Sequence, residues 1–150
     1  MKIFFVLILS VSLYSKEIIG AIDKFDLPLL NLQNIQSRID TGATNSSLHC
    51  SDIKRVDNIF VKCKLLNNEY LVEEISKIKD VKNSNGIQKR FFIKTQIVIF
   101  GKTYITELSL SDRSNMTYAF LLGRDVLEKD FIVDVSKENL SFNSKEKKKN

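Results

Sequence analysis

Along most of the chain apolar and polar residues alternate with a period of two, the signature of half-buried strands. Ile59, Val61, Cys63 and Leu65 share one side of such a strand, Asn67-Asn68 turns it, and Tyr70-Leu71-Val72 returns. This predicts a β-hairpin. A second run sets Ile93, Thr95, Ile97 and Ile99 against Phe92, Lys94, Gln96 and Val98 as far as Phe100, and Gly101-Lys102 separates it from the strand Tyr104 to Leu110. With Gly in the first central position, a type II′ turn is predicted there. Val81 to Ile87 is polar, carries Asn85-Gly86 at its centre and lies between strand-like stretches, so it is expected to project as a mobile hairpin tip. A single short helix is predicted after Gly123, through Arg124-Asp125-Val126-Leu127-Glu128-Lys129, before Phe131-Ile132-Val133 returns to strand. The fold class read from this pattern is all-β.

No internal repeat and no Pro- or Ser-rich linker divides the 150 residues, which suit one globular domain. The first fifteen differ in kind. Lys2 is followed by the apolar run Ile3 to Leu9 and then by small residues ending at Ser15, a run too short to span a bilayer. Residues 1–15 are therefore read as a secretory signal cleaved near Ser15, with no Cys nearby for lipid attachment. Export, to the periplasm, is the expectation, with no membrane span once the signal is removed.

The formal charge of +5 falls to +1 on residues 16–144 once Lys2 and the basic segment 145–150 are set aside. That segment is expected to be a disordered, solvated tail, and a nucleic-acid partner is not expected. Cys50 and Cys63 match no paired zinc-ligand spacing. In an exported chain they can oxidise if the fold lays the strand after His49 beside the hairpin strand of Cys63, about 5.5–6 Å apart between Cα atoms.

The chemistry concentrates in Ile35 to Leu48, a strand ending in Asp40-Thr41-Gly42-Ala43. Alone, the four residues also suit a turn cap at a strand end. Set opposite a second carboxylate, Asp40 would share one proton with it, and the pair would act as acid and base together. Gly42 lets two such loops approach, and Thr41 offers a hydroxyl that can bond across them. About eighty residues on, Phe120-Leu121-Leu122-Gly123-Arg124-Asp125 places two apolar residues and a Gly between strand and helix.

With both motifs in place the chain resembles the retropepsin-like aspartic peptidases. From Ile18 to Leu140 it is similar to one branch, the bacterial RimK-associated proteins labelled ATP-dependent zinc proteases and found with glutamate-ligase systems. The segments carrying the resemblance are Ile19-Gly20, Arg38 to His49, Ser84-Asn85-Gly86, Arg90, Leu110 to Met116, Leu121 to Arg124 and Phe131 to Asp134. It implies a closed retropepsin-like β-barrel over residues 16–144 with one short C-terminal helix. Asp40, Thr41 and Gly42 would be catalytic, Ala43, Thr44 and Asn45 would touch substrate, and Ser84, Asn85 and Gly86 would form a flap that also does. Leu121, Leu122, Gly123 and Arg124 would support the loop. In retropepsins the matching Arg pairs with an Asp at the position of Thr44, so Arg124 should find a different partner.

One Asp-Thr-Gly loop in so short a chain implies a homodimer, in which each subunit gives one Asp of the pair, acting on a peptide or protein substrate. Asp52, Asp57, Asp112 and Asp125 lack the Thr-Gly context. No cofactor is expected: His49, Cys50 and Cys63 do not make a zinc set, His49 reads as a hydrogen-bonded residue, and no phosphate loop serves ATP. The label is then read as genomic association. Arg113 and Asp112 suit a substrate carboxylate or a locally paired charge, and Phe91 and Phe92 suit subsites or core. A second reading keeps the fold and makes it a non-catalytic module binding a peptide or cell-envelope ligand.

Overall fold

The computed structural model describes residues 15–83 and 86–148. The assignment of 1–15 to a signal lies outside these residues but for Ser15, as do Ser84 and Asn85 of the expected flap. The elements are β1 (Glu17–Ile19), β2 (Ile22–Leu27), a 3-10 turn (Pro28–Leu30), β3 (Leu32–Ile39), β4 (Ser47–His49), β5 (Ser51–Arg55), β6 (Phe60–Lys64) and β7 (Tyr70–Glu74). Then come β8 (Lys77–Asn83), β9 (Gly86–Ile99), β10 (Lys102–Ser111), β11 (Phe120–Leu122), α1 (Arg124–Asp130), β12 (Phe131–Val133) and α2 (Leu140–Lys147).

Strands follow one another in the order β10-β4-β11-β3-β2-β9-β8, and β10 also pairs with β9. The hydrogen-bonded order therefore closes on itself through β9, a six-strand ring with β8 outside it, as the retropepsin-like barrel requires. Its interior is filled by Phe25, Leu27, Leu48, Ile93, Ile97, Ile99, Leu108, Leu110, Phe120 and Leu122, all at most 1% exposed. Phe25 meets Phe120 edge to face at 6.4 Å. The inward set on β9 is the one the alternation predicts, because a period-two strand can bury only one face against the ring. Phe92 is buried and Phe91 packs half-buried on the core.

A satellite sheet, β5-β6-β7, contains the expected hairpin, with Val61, Cys63, Leu65 and Leu71 turned inward. Ile59 departs from that side and stays 54% exposed just before β6 begins. Cys50, following β4, is joined to Cys63 of β6 by a disulfide with Cα atoms 5.7 Å apart, so the bond ties satellite to barrel. β1 and β12 pair in parallel as a third, two-stranded sheet.

Three expectations are corrected. The turn between β9 and β10 has Phe100 and Gly101 as its central residues, both with positive φ (51° and 78°), which is the type I′ pattern rather than II′. Phe100 is held there from outside: its N–H donates to Ser141 Oγ at 2.8 Å and its ring stacks on Phe131.

The second correction concerns the C-terminal segment. Residues 145–147 are helical, the last turn of α2, instead of a disordered tail, so the described residues hold two α-helices where one was predicted. The cause is a distant cap. Asp23, fully buried on β2, accepts the N–H of Ser141 (2.8 Å) and of Phe142 (3.1 Å), placing an anion on the first turn of α2. Lys145 then closes on Asp26 at 2.7 Å and on Asn34 Oδ1 at 2.9 Å. The third correction, at Arg124, belongs to the active-site loop.

Candidate active site

Strand β3 delivers Asp40 to the rim of the barrel, and the loop that follows folds back on it. Gly42 N–H donates to Asp40 Oδ1 at 2.9 Å and Ala43 N–H to the same oxygen at 3.1 Å. Two amide donors on one oxygen orient the half-buried carboxylate and leave Oδ2 for other chemistry. The loop backbone is stitched to the start of α1: Asp40 N–H to Leu122 O (3.0 Å), Arg124 N–H to Ala43 O (2.9 Å) and Asp125 N–H to Thr44 O (3.2 Å).

Between these bonds sits Gly123, where a Cβ would lie 2.7 Å from the Asn45 carbonyl carbon and 2.9 Å from Ser46 N. Only Gly permits that approach. Its N–H donates to Ser46 Oγ at 3.0 Å, and Ser46 Oγ donates to Asp125 Oδ1 at 2.7 Å. Asp125 also accepts the Ser46 N–H and the Thr106 hydroxyl, which spends its carboxylate on structure. Leu122 and Gly123 are buried beneath the loop, whereas Leu121 is half-buried and lines the cleft beside Asp40. Arg124 Nη2 donates to Thr44 Oγ1 at 3.1 Å and its Nε lies 4.0 Å from Glu128. The expected change of partner is thus only chemical: the Arg contacts the same position, through a neutral hydroxyl.

Two clefts flank the loop. The first, about 460 Å³, is lined by Arg38, Asp40, Arg113, Met116, Tyr118 and Leu121 among others. The second, about 520 Å³, is lined by Gly42, Ala43, Thr44, Asn45, by Asp80, Val81 and Arg90 of the β8–β9 hairpin, and by Phe92. Ala43, Thr44 and Asn45 thus face the expected kind of space. Thr41 is exposed at the loop apex. Gly86, at the hairpin's end, is exposed and lines neither cleft; the hairpin approaches through its base.

Asp40 is the one carboxylate among the residues lining the first cleft, which it shares with Arg38 and Arg113, and Arg90 of the second cleft acts on Arg113. Arg113 is half-buried, its Nε donating to Tyr118 O at 3.0 Å. Burial, then the like charge of Arg90, push its guanidinium below the ordinary value, and the charge of Asp40 opposes them. Arg90 Nε is buried with no hydrogen-bond partner among the described residues. Arg38, two residues before Asp40, is exposed at the mouth. Sequence reading gave Arg38 and Arg90 no role, although a cation two positions before the Asp on a period-two strand was a usable signal.

His49 accepts the Arg113 N–H on Nδ1 at 2.9 Å, the hydrogen-bonded state read from its position. Asp112 binds the hydroxyl and N–H of Ser114, which hold its carboxyl below the usual range. Among the described residues no group of three His, Cys, Asp or Glu is arranged to hold a metal ion. Asp52 and Asp57 lie in or beside β5, away from both clefts.

A closed barrel whose rim carries an Asp-Thr-Gly loop, locked from beneath by an apolar-apolar-Gly-Arg turn, is the architecture of the retropepsin-like class. The chain belongs to the RimB-like family, described as retropepsin-like aspartic endopeptidase RimB, whose model matches residues 18–143. It is 34% identical over 133 residues to a protein of Shewanella halifaxensis named probable alpha-L-glutamate ligase, covering 81% of this chain and 29% of that protein. A protein of the same name from Parasynechococcus marenigrum is 32% identical over 130 residues, covering 79% of this chain. The chain thus spans less than a third of these relatives. In fold it is similar to a Legionella pneumophila protein of unknown function, with a TM-score of 0.71 at 23% identity, covering 85% of this chain and 99% of that one.

Proposed function

We propose that the protein is an aspartic endopeptidase that hydrolyses peptide bonds as a homodimer, each subunit giving one Asp40 to the catalytic pair. The observation that carries this reading is the carboxylate itself. Asp40 is half-buried, with Oδ1 fixed by two amide N–H groups and Oδ2 turned to no other partner among the described residues. Two such groups brought together across a symmetric interface share a proton. The ionised member takes a proton from water as it attacks the peptide carbonyl, and the protonated member stabilises the oxygen that becomes negative. The exposed Thr41 at the apex suits a hydroxyl that bonds across the pair. Asp125 and Asp112 are spent on Ser46, Thr106 and Ser114, and exposed Asp80 lies near Lys89, so the second carboxylate comes from a second copy.

Substrate chemistry follows from the cations. Across the two clefts Arg38, Arg90 and Arg113 outnumber Asp40 and Asp80, which supports acidic side chains on the bound peptide. The occurrence of a similar segment inside longer proteins named probable alpha-L-glutamate ligase supports a glutamate-rich peptide. The Cys50–Cys63 disulfide supports action in an oxidising compartment outside the cytoplasm.

The test is Asp40→Asn, nearly isosteric, assayed on a glutamate-rich peptide beside gel-filtration of the protein with and without a statine-type peptide mimic. Hydrolysis should vanish while fold and dimer persist, and wild-type activity should decline on the alkaline side as the pair loses its shared proton. Cleavage by Asp40→Asn at the wild-type rate, or a chelator stopping the wild type with zinc restoring it, removes the aspartic mechanism. Peptide binding by a stable monomer without cleavage would make this a binding module instead.

A further inference from the structure

The single histidine of the chain has no part in the chemistry above, yet it lies behind the cleft, bonded to the segment that forms one wall of it. His49 ends β4, a strand clasped between β10 and β11, so its imidazole rides on rigid backbone. The side chain is 13% exposed. Residues 112–119 link β10 to β11, and this segment supplies Arg113, Asn115, Met116, Thr117 and Tyr118 to the cleft that holds Asp40. Most bonds of the segment close within it: Ser114 to Asp112, Met116 N–H to Arg113 O, Arg113 Nε to Tyr118 O. Two bonds tie the segment to β4, both at His49: its own N–H donates to Ala119 O at 2.7 Å at the far end, and its Nδ1 accepts the Arg113 N–H at 2.9 Å, the bond that fixes the Arg113 end.

We infer that His49 is a positioning residue for substrate: its neutral imidazole anchors the backbone of Arg113 so that the Arg113 guanidinium, beside Asp40, receives an acidic side chain of the bound peptide. The inference rests on the acidic-peptide reading above and adds to it a residue and a pH dependence. Nδ1 accepts a hydrogen bond only while the ring proton sits on Nε2; an imidazolium carries N–H on both nitrogens and would face the Arg113 N–H donor to donor. One charged group lies close to the ring: Asp112 Oδ1, 3.8 Å from Nδ1, which offers an imidazolium a new partner, while Arg113 meets the ring through its backbone N–H. Protonation therefore moves the bond from the Arg113 N–H to the Asp112 carboxylate one residue earlier, which keeps the segment on the barrel but displaces Arg113 from its place beside Asp40. Acidic-peptide binding should weaken as His49 takes up its proton.

The experiment uses full-length Asp40→Asn protein, which binds without cleaving, and two peptides of equal length, one rich in Glu and one with Gln in place of Glu. Binding is measured by calorimetry from pH 8 to pH 5.5, and the His49 ring proton, a lone histidine signal, is titrated by NMR in the same samples. The Glu peptide should lose about tenfold in affinity along the His49 titration, the worth of one charged hydrogen bond, and the Gln peptide should not. His49→Ala should bind the Glu peptide about tenfold more weakly at every pH, whereas His49→Asn, whose Oδ1 accepts but does not titrate, should bind tightly and without the pH limb. In an Arg113→Ala background neither His49 substitution should matter further. Tight Glu-peptide binding that ignores His49→Ala, or effects of His49→Ala and Arg113→Ala that simply add, overturns the positioning role and leaves the substrate reading standing. Absence of Glu-peptide binding by the parent at any pH overturns the substrate reading and the positioning role together.

Discussion

Gly123→Ala is the substitution that tests how the Asp40 loop is held. The new methyl would stand 2.7 Å from the Asn45 carbonyl carbon, 2.9 Å from its oxygen and 2.9 Å from Ser46 N. Carbon atoms in contact rest near ~3.5 Å, so the overlap approaches an ångström against three backbone atoms at once. None of them can rotate away. Relief requires the loop to lift off α1, which lengthens the Gly123 N–H bond to Ser46 Oγ and those from Arg124 and Asp125 to Ala43 O and Thr44 O. Overpacking of this kind costs about 1–3 kcal/mol, and the rigid backbone neighbours place this site at the upper end. Urea unfolding at constant slope should show a loss of about 2–3 kcal/mol. Peptidase activity should fall further than stability, because Asp40 moves with the loop. Gly42→Ala is the control: its methyl would meet just Asp40 Oδ1, at 3.2 Å on an exposed loop, so activity should fall with stability changed by less than about 0.5 kcal/mol. A Gly123→Ala protein as stable as wild type would refute the claim that this contact fixes the loop.

Three further outcomes are expected. Asp23→Ala leaves the Ser141 and Phe142 N–H groups without their acceptor and should cost about 2 kcal/mol, with hydrogen exchange rising first in α2; unchanged exchange there would show that the helix does not need its cap. Reducing the Cys50–Cys63 bond frees a short loop in the unfolded chain and should lower stability by about 3 kcal/mol in paired urea melts with and without dithiothreitol; coincident melts would exclude a stabilising role. Glu107 is held below the usual carboxylate range first by its hydrogen bond from Lys77, so its folded value lies under its unfolded one. That stabilisation is complete above the unfolded value of 4.5 and is lost as pH falls through the lower folded value. Glu107→Gln should therefore flatten the acid limb of stability below about pH 4.5, and an unaltered limb would assign the loss to other carboxylates.

The all-β class was legible because its signals are local, and the closed barrel followed from the resemblance carried by the two motifs. A strand buried on one face announces itself by alternation, as Ile93 to Ile99 does on β9, and the turn at Gly123 is marked by the residues on either side. What could not be read depends on partners far along the chain. The cap of α2 comes from Asp23, 118 residues before Ser141, so a local reading of 145–150 sees lysines and infers a solvated tail. The turn type fails for the same reason: Phe100 accepts a positive φ where its N–H finds Ser141 Oγ and its ring finds Phe131.

The active site divides along the same line. Asp40 and the segment Leu121 to Arg124 are distant in sequence and are recognisable as a pair: they meet through backbone bonds, through the bare Gly123, and through the short side chains of Thr44 and Ser46 that belong to the motif itself. The arginines have no such mark. Arg38 comes from β3, Arg90 from β9 and Arg113 from the link between β10 and β11, and ring closure brings them to the two clefts that flank the Asp40 loop. Closure of that ring passes through the β2–β9 pairing at Asp26 and Val98, and Asp26 is also the anion that Lys145 holds. The last turn of α2, read as a tail, therefore braces through Lys145 the seam of the barrel on which the placement of the three arginines depends.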